Sequence, residues 1–267
     1  MSKKFLIVLV LILAISTTMI GCGNEVKEDT SLKDIKDKGH FVVGLDDSFP
    51  PMGFRNSEGD IVGFDIDLAK AAAEKMGVEV KFKPVEWDGV ILSLKNKDID
   101  VIWNGLTITE ERQEKISFTK PYIANKQAIV VNGKSETKSK KDLEDKIVGL
   151  QLGSSSEEAL SNNSEFKDSL KEVRKYSNNV EALLDLKAER IDAVVMDEIV
   201  ARYYITDKKE DYKVLDEYLA KENYGVGVRK EDKKFLKELE KALDEMKEDG
   251  TAKEISNKWF SEDIITR

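Results

Sequence analysis

An internal echo constrains the fold of this chain more than any other feature of its sequence. Residues 94–102 and 186–194 share Leu-Lys and Ile-Asp in the same register, and each copy runs from a helical pattern into a short apolar stretch. Residues 148–150 repeat the Val-Gly-Leu of residues 43–45, and a polar segment follows each. Chance similarity between short strand-and-helix units is the alternative, because repeats of a few residues are weak evidence. The echo predicts two similar halves.

Strand and helix patterns alternate along the first half. Residues 41–45 form an apolar run, residues 64–76 repeat apolar side chains at helical spacing and stop at Gly77, and residues 78–82 alternate as a strand. Residues 56–59 carry turn-forming side chains that indicate a hairpin. Alternating strands and helices are typical of an α/β fold, so we predict mostly parallel sheets flanked by helices.

Residues 104–112 connect an apolar strand to a helix and carry the first candidate binding groups. Thr107 or Thr109 can cap the helix, whose first turn is acidic. Gly105 lets a ligand approach the backbone closely, and Arg112 follows one turn later. A guanidinium beside free N–H groups binds carboxylates. The alternative is an ordinary connection with a surface arginine.

The other polar candidates also follow predicted strands. In α/β sheets ligands bind outside the carboxyl ends of the strands. Asp46 follows the first strand, Asp197 ends the strand at 194–196, and Ser155 follows the strand at 148–150 in a Ser-x-x-Glu segment that predicts a capping box at Ser154. Continuing the echo places Gly105 opposite Asp197. These residues are therefore predicted to face one cleft.

The chemistry of this cleft suits a zwitterion. Arg112 and the N–H groups near Thr107 and Ser155 would hold a carboxylate, while Asp197, the Thr107 hydroxyl and the Gly105 carbonyl would accept from an ammonium group.

Phe49 and Trp87 are available to sandwich the side chain of that guest, with Asp46 near its polar end. Two alternatives remain open: that Phe49 and Trp87 are core residues, and that Asp197 only caps a helix. Trp103, inside an apolar run, is assigned to the core.

The N-terminus has the pattern of a secretion signal. Two lysines precede an apolar run at residues 5–15, which is too short to span a bilayer. Met-Ile-Gly-Cys at residues 19–22 resembles the lipobox of bacterial lipoproteins, with Met where leucine is usual. We expect residues 1–21 to be a signal peptide, Cys22 to be lipidated, and residues 22–31 to be a lipidated, flexible tether.

Charge and composition exclude other classes of ligand. The formal net charge of −9 argues against nucleic acid, whose phosphates require clustered Lys and Arg. The sequence contains no His/Cys cluster and no calcium loop, so we expect no metal and no cofactor.

Six motifs together resemble one protein family, the extracellular solute-binding proteins of polar amino-acid ABC transporters, which have the type II periplasmic-binding fold. The resemblance covers residues 33–260. Its motifs are Phe-Asp-Ile-Asp-Leu-Ala at 64–69, Trp-Asp-Gly-Val-Ile at 87–91, the segment 100–112, Phe-Thr-Lys-Pro-Tyr at 118–122, Gly-Ser-Ser at 153–155 and Tyr-Gly-Val-Gly-Val at 224–228.

The resemblance implies two lobes that close on a ligand about a two-strand hinge. Lobe 1 would comprise residues 32–125 and 221–267, and lobe 2 residues 126–220. The ligand-binding positions of the family fall on Asp46, Phe49, Trp87, Gly105, Thr107, Arg112, Ser155 and Asp197. The chain departs from the family at Pro-Pro-Met-Gly-Phe (50–54), where many relatives have a single proline before an aromatic residue.

The function implied is that of a lipid-anchored, monomeric receptor that delivers an amino acid to permease and ATPase subunits. Polar or basic amino acids are favoured by Asp46, Asp47 and Asn104. An alternative is a secreted dehydratase acting on a small carboxylic acid. We expect no enzyme, because His40, the only histidine, precedes the first strand. A receptor sensor domain is a third class, although no transmembrane helix or output domain follows.

Overall fold

The computed structural model describes residues 28–266. Its strands are β1 (His40–Leu45), β2 (Ser48–Phe49), β3 (Gly53–Arg55), β4 (Ile61–Val62), β5 (Glu79–Pro84), β6 (Val101–Ile102), β7 (Ser117–Phe118), β8 (Ile123–Asn132), β9 (Ile147–Gln151), β10 (Glu172–Tyr176), β11 (Ala193–Asp197), β12 (Tyr212–Tyr224) and β13 (Gly227–Val228).

The α-helices are α1 (Ser31–Lys38), α2 (Phe64–Met76), α3 (Val90–Lys95), α4 (Glu110–Lys115), α5 (Ser155–Asn162), α6 (Ser164–Ser169), α7 (Asn179–Lys187), α8 (Glu198–Thr206), α9 (Lys233–Glu248) and α10 (Thr251–Phe260). Short 3₁₀ turns occupy Trp87–Gly89 and Lys140–Leu143.

Two five-stranded sheets organise the chain. The first has the strand order β5-β1-β6-β13-β7 and the second has the order β10-β9-β11-β8-β12. In each sheet the first three strands are parallel, whereas the last two pairings are antiparallel. The α/β class with mostly parallel sheets is confirmed, because four of the five strands in each sheet run in the same direction. The reversed strand is β13 in the first sheet and β8 in the second, and each pairs antiparallel with both of its neighbours.

The strand registers confirm the internal echo. Val43 pairs with Val101 in the first sheet, and Val148 pairs with Ala193 at the corresponding place in the second. Gly44 lies against Ile99, and its counterpart Gly149 lies against Ile191.

The repeated aspartate has the same role in both halves. The Asp100 N–H donates to the Val42 carbonyl (2.8 Å) and its carboxylate accepts from the Val42 N–H (2.9 Å). Asp192 makes the same two bonds to Ile147, both of 2.8 Å. The Ile-Asp of the sequence echo therefore joins the start of one strand to its parallel neighbour, which explains why both halves have it.

Strand β11 is buried on both of its faces. Val194 and Met196 of β11 contribute to one apolar cluster and Ala193 and Val195 to another, as alternation along a strand requires. Helix α2 packs with α9 and α10 beside the first sheet. It ends at Gly77, whose φ of +64° is a left-handed cap conformation. The hairpin predicted at residues 56–59 is formed by β3 and β4.

Strands β8 and β12 form the longest ladder and run past both predicted lobe boundaries. They pair from Ile123 with Tyr224 to Asn132 with Tyr212, with irregularities between Val214 and Ala220. The exact division at residues 125/126 and 220/221 therefore stays a prediction. The signal peptide, Cys22 and most of the tether lie outside the described residues. Within residues 28–266, no helix is long and apolar enough to cross a membrane.

Candidate ligand-binding site

The carboxyl ends of the two sheets face each other, and most of the predicted site residues lie there. Hydrogen bonds join the two sides of the cleft. Gln151 Nε2 donates to Asp46 Oδ2 (2.7 Å), the Thr107 and Ser155 hydroxyl oxygens are 3.0 Å apart, and Arg112 donates to a carbonyl on the opposite side. The cleft between the sheets is therefore closed in this structure.

Gln151 was missed by sequence reasoning, although the echo contained the signal. Because residues 148–150 repeat residues 43–45, Gln151 is the counterpart of Asp46. The two side chains follow equivalent strands and meet across the cleft. Gln151 also accepts from Asn179 Nδ2 at 3.2 Å, so a buried polar network continues into the second sheet's side of the cleft.

Arg112 is a buried cation held by neutral groups. Its Nη1 donates to the Thr107 carbonyl (3.0 Å), its Nη2 donates to the Gly153 carbonyl (3.2 Å), and the guanidinium lies 5.9 Å from the centroid of the Trp87 ring. Burial lowers the pKa of Arg112, while nearby carboxylates led by Glu222 oppose that shift. Arginine stays charged under such conditions. Among residues 28–266 it forms no ion pair, so its charge is available to an anionic guest.

Local capping positions Arg112. The Thr109 hydroxyl accepts the Arg112 N–H at 3.3 Å, so Thr109 rather than Thr107 caps α4. This frees the Thr107 side chain for the cleft, where it is almost completely buried.

The capping box predicted at Ser154 is wrong. The Ser154 hydroxyl donates back to the Gln151 carbonyl (2.7 Å), and Glu157 accepts from the Gly153 N–H (3.0 Å) while pairing with Lys175 at 2.6 Å. Ser154 therefore does not occupy the first-turn N–H groups of α5. Those groups lie beside buried Ser155, at the end of a helix that favours anions.

An acidic cluster lies on the hinge side of the cleft. Asp197 Oδ1 accepts from Asn125 Nδ2 (2.6 Å), Gln127 Nε2 (3.1 Å) and the Tyr224 hydroxyl (2.6 Å). Burial and the neighbouring Glu222 carboxylate raise the pKa of Asp197 to about 8. Asp197 is followed by α8 but makes no side-chain cap to it, so the capping alternative is not supported.

Glu222 belongs to this cluster and was also missed. It precedes Tyr224 by two positions on β12, so strand alternation places both side chains on one face. Its partner across the ladder is Asn125. The signal in the sequence was the two-residue spacing between Glu222 and Tyr224, which begins the Tyr-Gly-Val-Gly-Val motif.

The aromatic residues divide between cleft and core. Phe49 and Trp87 are buried, and Phe49 lies so close to Gly105 that a Cβ there would be 2.8 Å from its ring. Gly105 also has a φ of +60°, which favours glycine. Trp103 is fully buried with its ring 6.3 Å from that of Tyr122, which confirms its assignment to the core.

Two cavities flank the closed cleft. One of about 670 Å³ has Asn125, Tyr203 and Trp259 in its wall, and one of about 620 Å³ has Trp87 and Arg112 in its wall. Each cavity therefore reaches at least one residue of the site. Residues 28–266 bring together no group of three His, Cys, Asp or Glu side chains that could hold a metal ion.

Asp65 supports the site from below. Its Oδ2 accepts the Gly105 N–H (2.7 Å) and the Tyr122 hydroxyl (2.9 Å), and the residue is completely buried. Asp65 belongs to the Phe-Asp-Ile-Asp-Leu-Ala motif at 64–69, but the sequence alone indicated no role for it. Burial raises its pKa to about 7 from an ordinary value of 3.8.

Asp65→Asn is expected to flatten the pH dependence of stability. Because the folded protein holds a proton on Asp65 that the unfolded chain releases above its lower pKa, this carboxyl makes the free energy of unfolding fall as pH rises from about 4 to about 7, with no further change above that. Thermal midpoints of the unliganded proteins at pH 5 and pH 7.5 measure the effect. Asp60→Asn, at an exposed turn, is the control. Parallel pH profiles for wild type and Asp65→Asn would contradict this reading.

Two helix-flanked β-sheets face a buried polar cleft and are connected through the long β8–β12 ladder. This arrangement defines a type II periplasmic binding protein. The chain belongs to the bacterial extracellular solute-binding proteins, family 3, whose model matches residues 41–262.

Known proteins support the same class. The L-cystine-binding protein TcyJ of Escherichia coli strain K12 is 37% identical over 235 residues, which are 87% of each chain. An ABC uptake transporter substrate-binding protein from Streptococcus pneumoniae with bound histidine aligns with a TM-score of 0.87 and 38% identity, covering 90% of this chain and 99% of that one.

The ancestral amino acid-binding protein AncCDT-1, a precursor of cyclohexadienyl dehydratase, aligns with a TM-score of 0.79 and 38% identity, covering 86% and 99% of the two chains. These relatives are named as binding proteins, and the dehydratase is the descendant of one of them. The chain is accordingly a binding protein and not an enzyme.

Proposed function

We propose that this protein captures a free amino acid outside the cell and delivers it to the permease and ATPase subunits of an ABC transporter. The observation that carries the proposal is a cation and a cluster of acidic side chains buried in one cleft. Arg112 has only neutral hydrogen-bond partners, and the Asp197 carboxyl lies in the same cleft. A zwitterion brings a carboxylate for the guanidinium and an ammonium group for the acidic side chains.

The proposed binding mode assigns one end of the guest to each charge. Arg112 and the N–H groups at Ser155 bind the carboxylate, while Asp197, the Thr107 hydroxyl and the Gly105 carbonyl bind the ammonium. Phe49 and Trp87 flank the side chain, and Asp46 receives its polar end. The buried positions of these groups and the bonds that link Thr107 to Ser155 support this assignment.

A polar or basic amino acid is the favoured guest. TcyJ is named for cystine, and the pneumococcal protein was solved with histidine. In this chain the Asp46 carboxylate, bonded to Gln151 and Ser48, supplies a negative acceptor for a polar side chain.

Binding closes the two lobes, residues 32–125 with 221–267 and residues 126–220, about the β8–β12 ladder. A guest that contacts both lobes favours the closed population by its differential affinity. The Arg112–Gly153 and Asp46–Gln151 hydrogen bonds, which join the two sides of the cleft, support this closure.

The test of the function is a thermal-shift screen of the protein from residue 22 onward, carrying Cys22→Ser, against the common amino acids and cystine. A ligand of the native state raises the unfolding midpoint by mass action. We expect one or a few polar or basic amino acids to do so. No shift with any amino acid, or turnover of a prephenate-like acid, would overturn the proposal.

We further propose that residues 1–21 are removed and that a lipid on Cys22 anchors the monomeric protein to the outer face of the membrane. In intact cells Cys22→Ser is expected to move the protein from the membrane fraction into the surrounding fluid, because a single thiol carries the lipid. Retention of the variant in the membrane fraction would count against the anchor.

A further inference from the structure

Glu222 lies on the hinge strand β12 and reaches into the cleft. Its Oε1 accepts hydrogen bonds from the Thr107 hydroxyl (2.8 Å), Asn125 Nδ2 (2.7 Å) and Gln127 Nε2 (2.8 Å). Three donors therefore converge on one oxygen of this side chain. The binding mode proposed above gives Glu222 no role.

The carboxylates of Glu222 and Asp197 converge on the same two amide groups. Asn125 Nδ2 lies 2.7 Å from Glu222 Oε1 and 2.6 Å from Asp197 Oδ1, and Gln127 Nε2 lies 2.8 and 3.1 Å from the same two oxygens. Two carboxylates this close repel when both are ionised, so one of them keeps a proton. Burial and Glu222 raise the pKa of Asp197, consistent with a proton there.

Other charged groups face the pair from the surrounding elements. Arg112 of α4 is the facing cation and lowers the pKa of Asp197, against the larger effects that raise it. The Tyr224 hydroxyl donates to Asp197 at 2.6 Å, and the pKa of Tyr224 lies well above its ordinary value because of burial. Glu158 of α5 adds negative charge near Arg112, while Lys126 of β8 pairs with Glu198 at 3.3 Å.

We propose that Glu222 is a second acidic residue for the guest's ammonium group, and that binding exchanges the proton shared by Asp197 and Glu222 for that ammonium. The O–H bond of the Asp197 carboxyl breaks, the proton passes to solvent, and ammonium N–H donors take its place between two carboxylates. This inference rests on the proposed function, since it needs an ammonium-bearing guest.

Proton exchange has a measurable consequence. Binding releases one proton per amino acid while the pair is protonated, so affinity rises about tenfold per pH unit below pH 8. Above that pH the pair is already ionised and the dependence flattens. A guest without an ammonium group cannot replace the proton, which selects amino acids over other carboxylic acids.

Calorimetry in two buffers tests the exchange. The probes are L-arginine and L-glutamine, whose side chains do not change protonation near pH 7. Each is titrated at pH 7 in phosphate and in Tris, whose ionisation enthalpies differ. We expect close to one proton released per bound probe in the wild type. Buffer-independent heats of binding would overturn the inference while leaving the proposed function intact, whereas failure of every amino acid in the thermal-shift screen to bind would remove both.

Variants locate the proton. Glu222→Gln keeps the shape of the side chain but removes the repulsion, so proton release should fall by at least half and affinity for the same probe should fall about tenfold or more. Asp216→Asn, an exposed residue of the same strand, should keep the wild-type release. Unchanged release and affinity in a folded Glu222→Gln protein would overturn the role of Glu222.

Discussion

Arg112→Ala is expected to abolish tight amino-acid binding. The guanidinium is buried between Thr107 and Gly153 and supplies the cation of the cleft. Removing one partner of a buried, hydrogen-bonded charge pair costs about 2 to 5 kcal/mol, which corresponds to roughly 30- to 5,000-fold in Kd. Calorimetry with the amino acid identified by the screen measures the loss.

Two further variants make the Arg112 result specific. Lys115→Ala removes a positive charge from the same helix, but Lys115 is exposed and paired with Glu111, so affinity should stay near wild type. Arg112→Lys keeps the charge without the planar fork and should fall between the two. Near-wild-type affinity in Arg112→Ala would refute the assignment of the carboxylate site.

Asp197→Asn is the second substitution with a large expected effect. It should weaken amino-acid binding while leaving the stability of the unliganded protein nearly unchanged. In the unliganded protein Asp197 carries a proton below about pH 8, so an uncharged Asn resembles the free state and the unfolding midpoint should change little. The bound ammonium, however, loses a buried counter-charge. We expect a loss of about 2 to 5 kcal/mol in binding free energy.

The same calorimetric titration tests Asp197→Asn, with Asp216→Asn as the surface control. A variant that unfolds at a much lower temperature would mean that Asp197 is mainly structural. A variant that binds as tightly as the wild type would show that the ammonium lies elsewhere.

The fold was readable from the sequence where a local pattern had a local cause. The echo predicted corresponding strands because the Ile-Asp pair acts through its own strand neighbour, as the bonds of Asp100 and Asp192 show. The helix cap at Thr109 and the stop at Gly77 likewise depend on residues within one turn. Such features need no knowledge of the tertiary structure.

The remaining features depend on segments distant in the sequence. Nothing near Glu222 indicates that its partners are Thr107 and Gln127, about 100 residues away. Asp65 acquires its role only when Gly105 is placed above it. The Ser154 box failed because Glu157 found a competing partner in Lys175. Contacts between segments far apart in the sequence depend on the topology of the whole fold, and a short motif carries no information about that topology.

The order of strands in the first sheet has a consequence for the order in which the protein can be completed. Strand β13 lies between β6 and β7, yet its residues, 227–228, come after every strand of the second sheet. The second sheet uses only residues 123–224. During synthesis from the N-terminus, all strands of the second sheet are therefore available before β13 of the first sheet has been made. The first sheet starts to form first but is completed last.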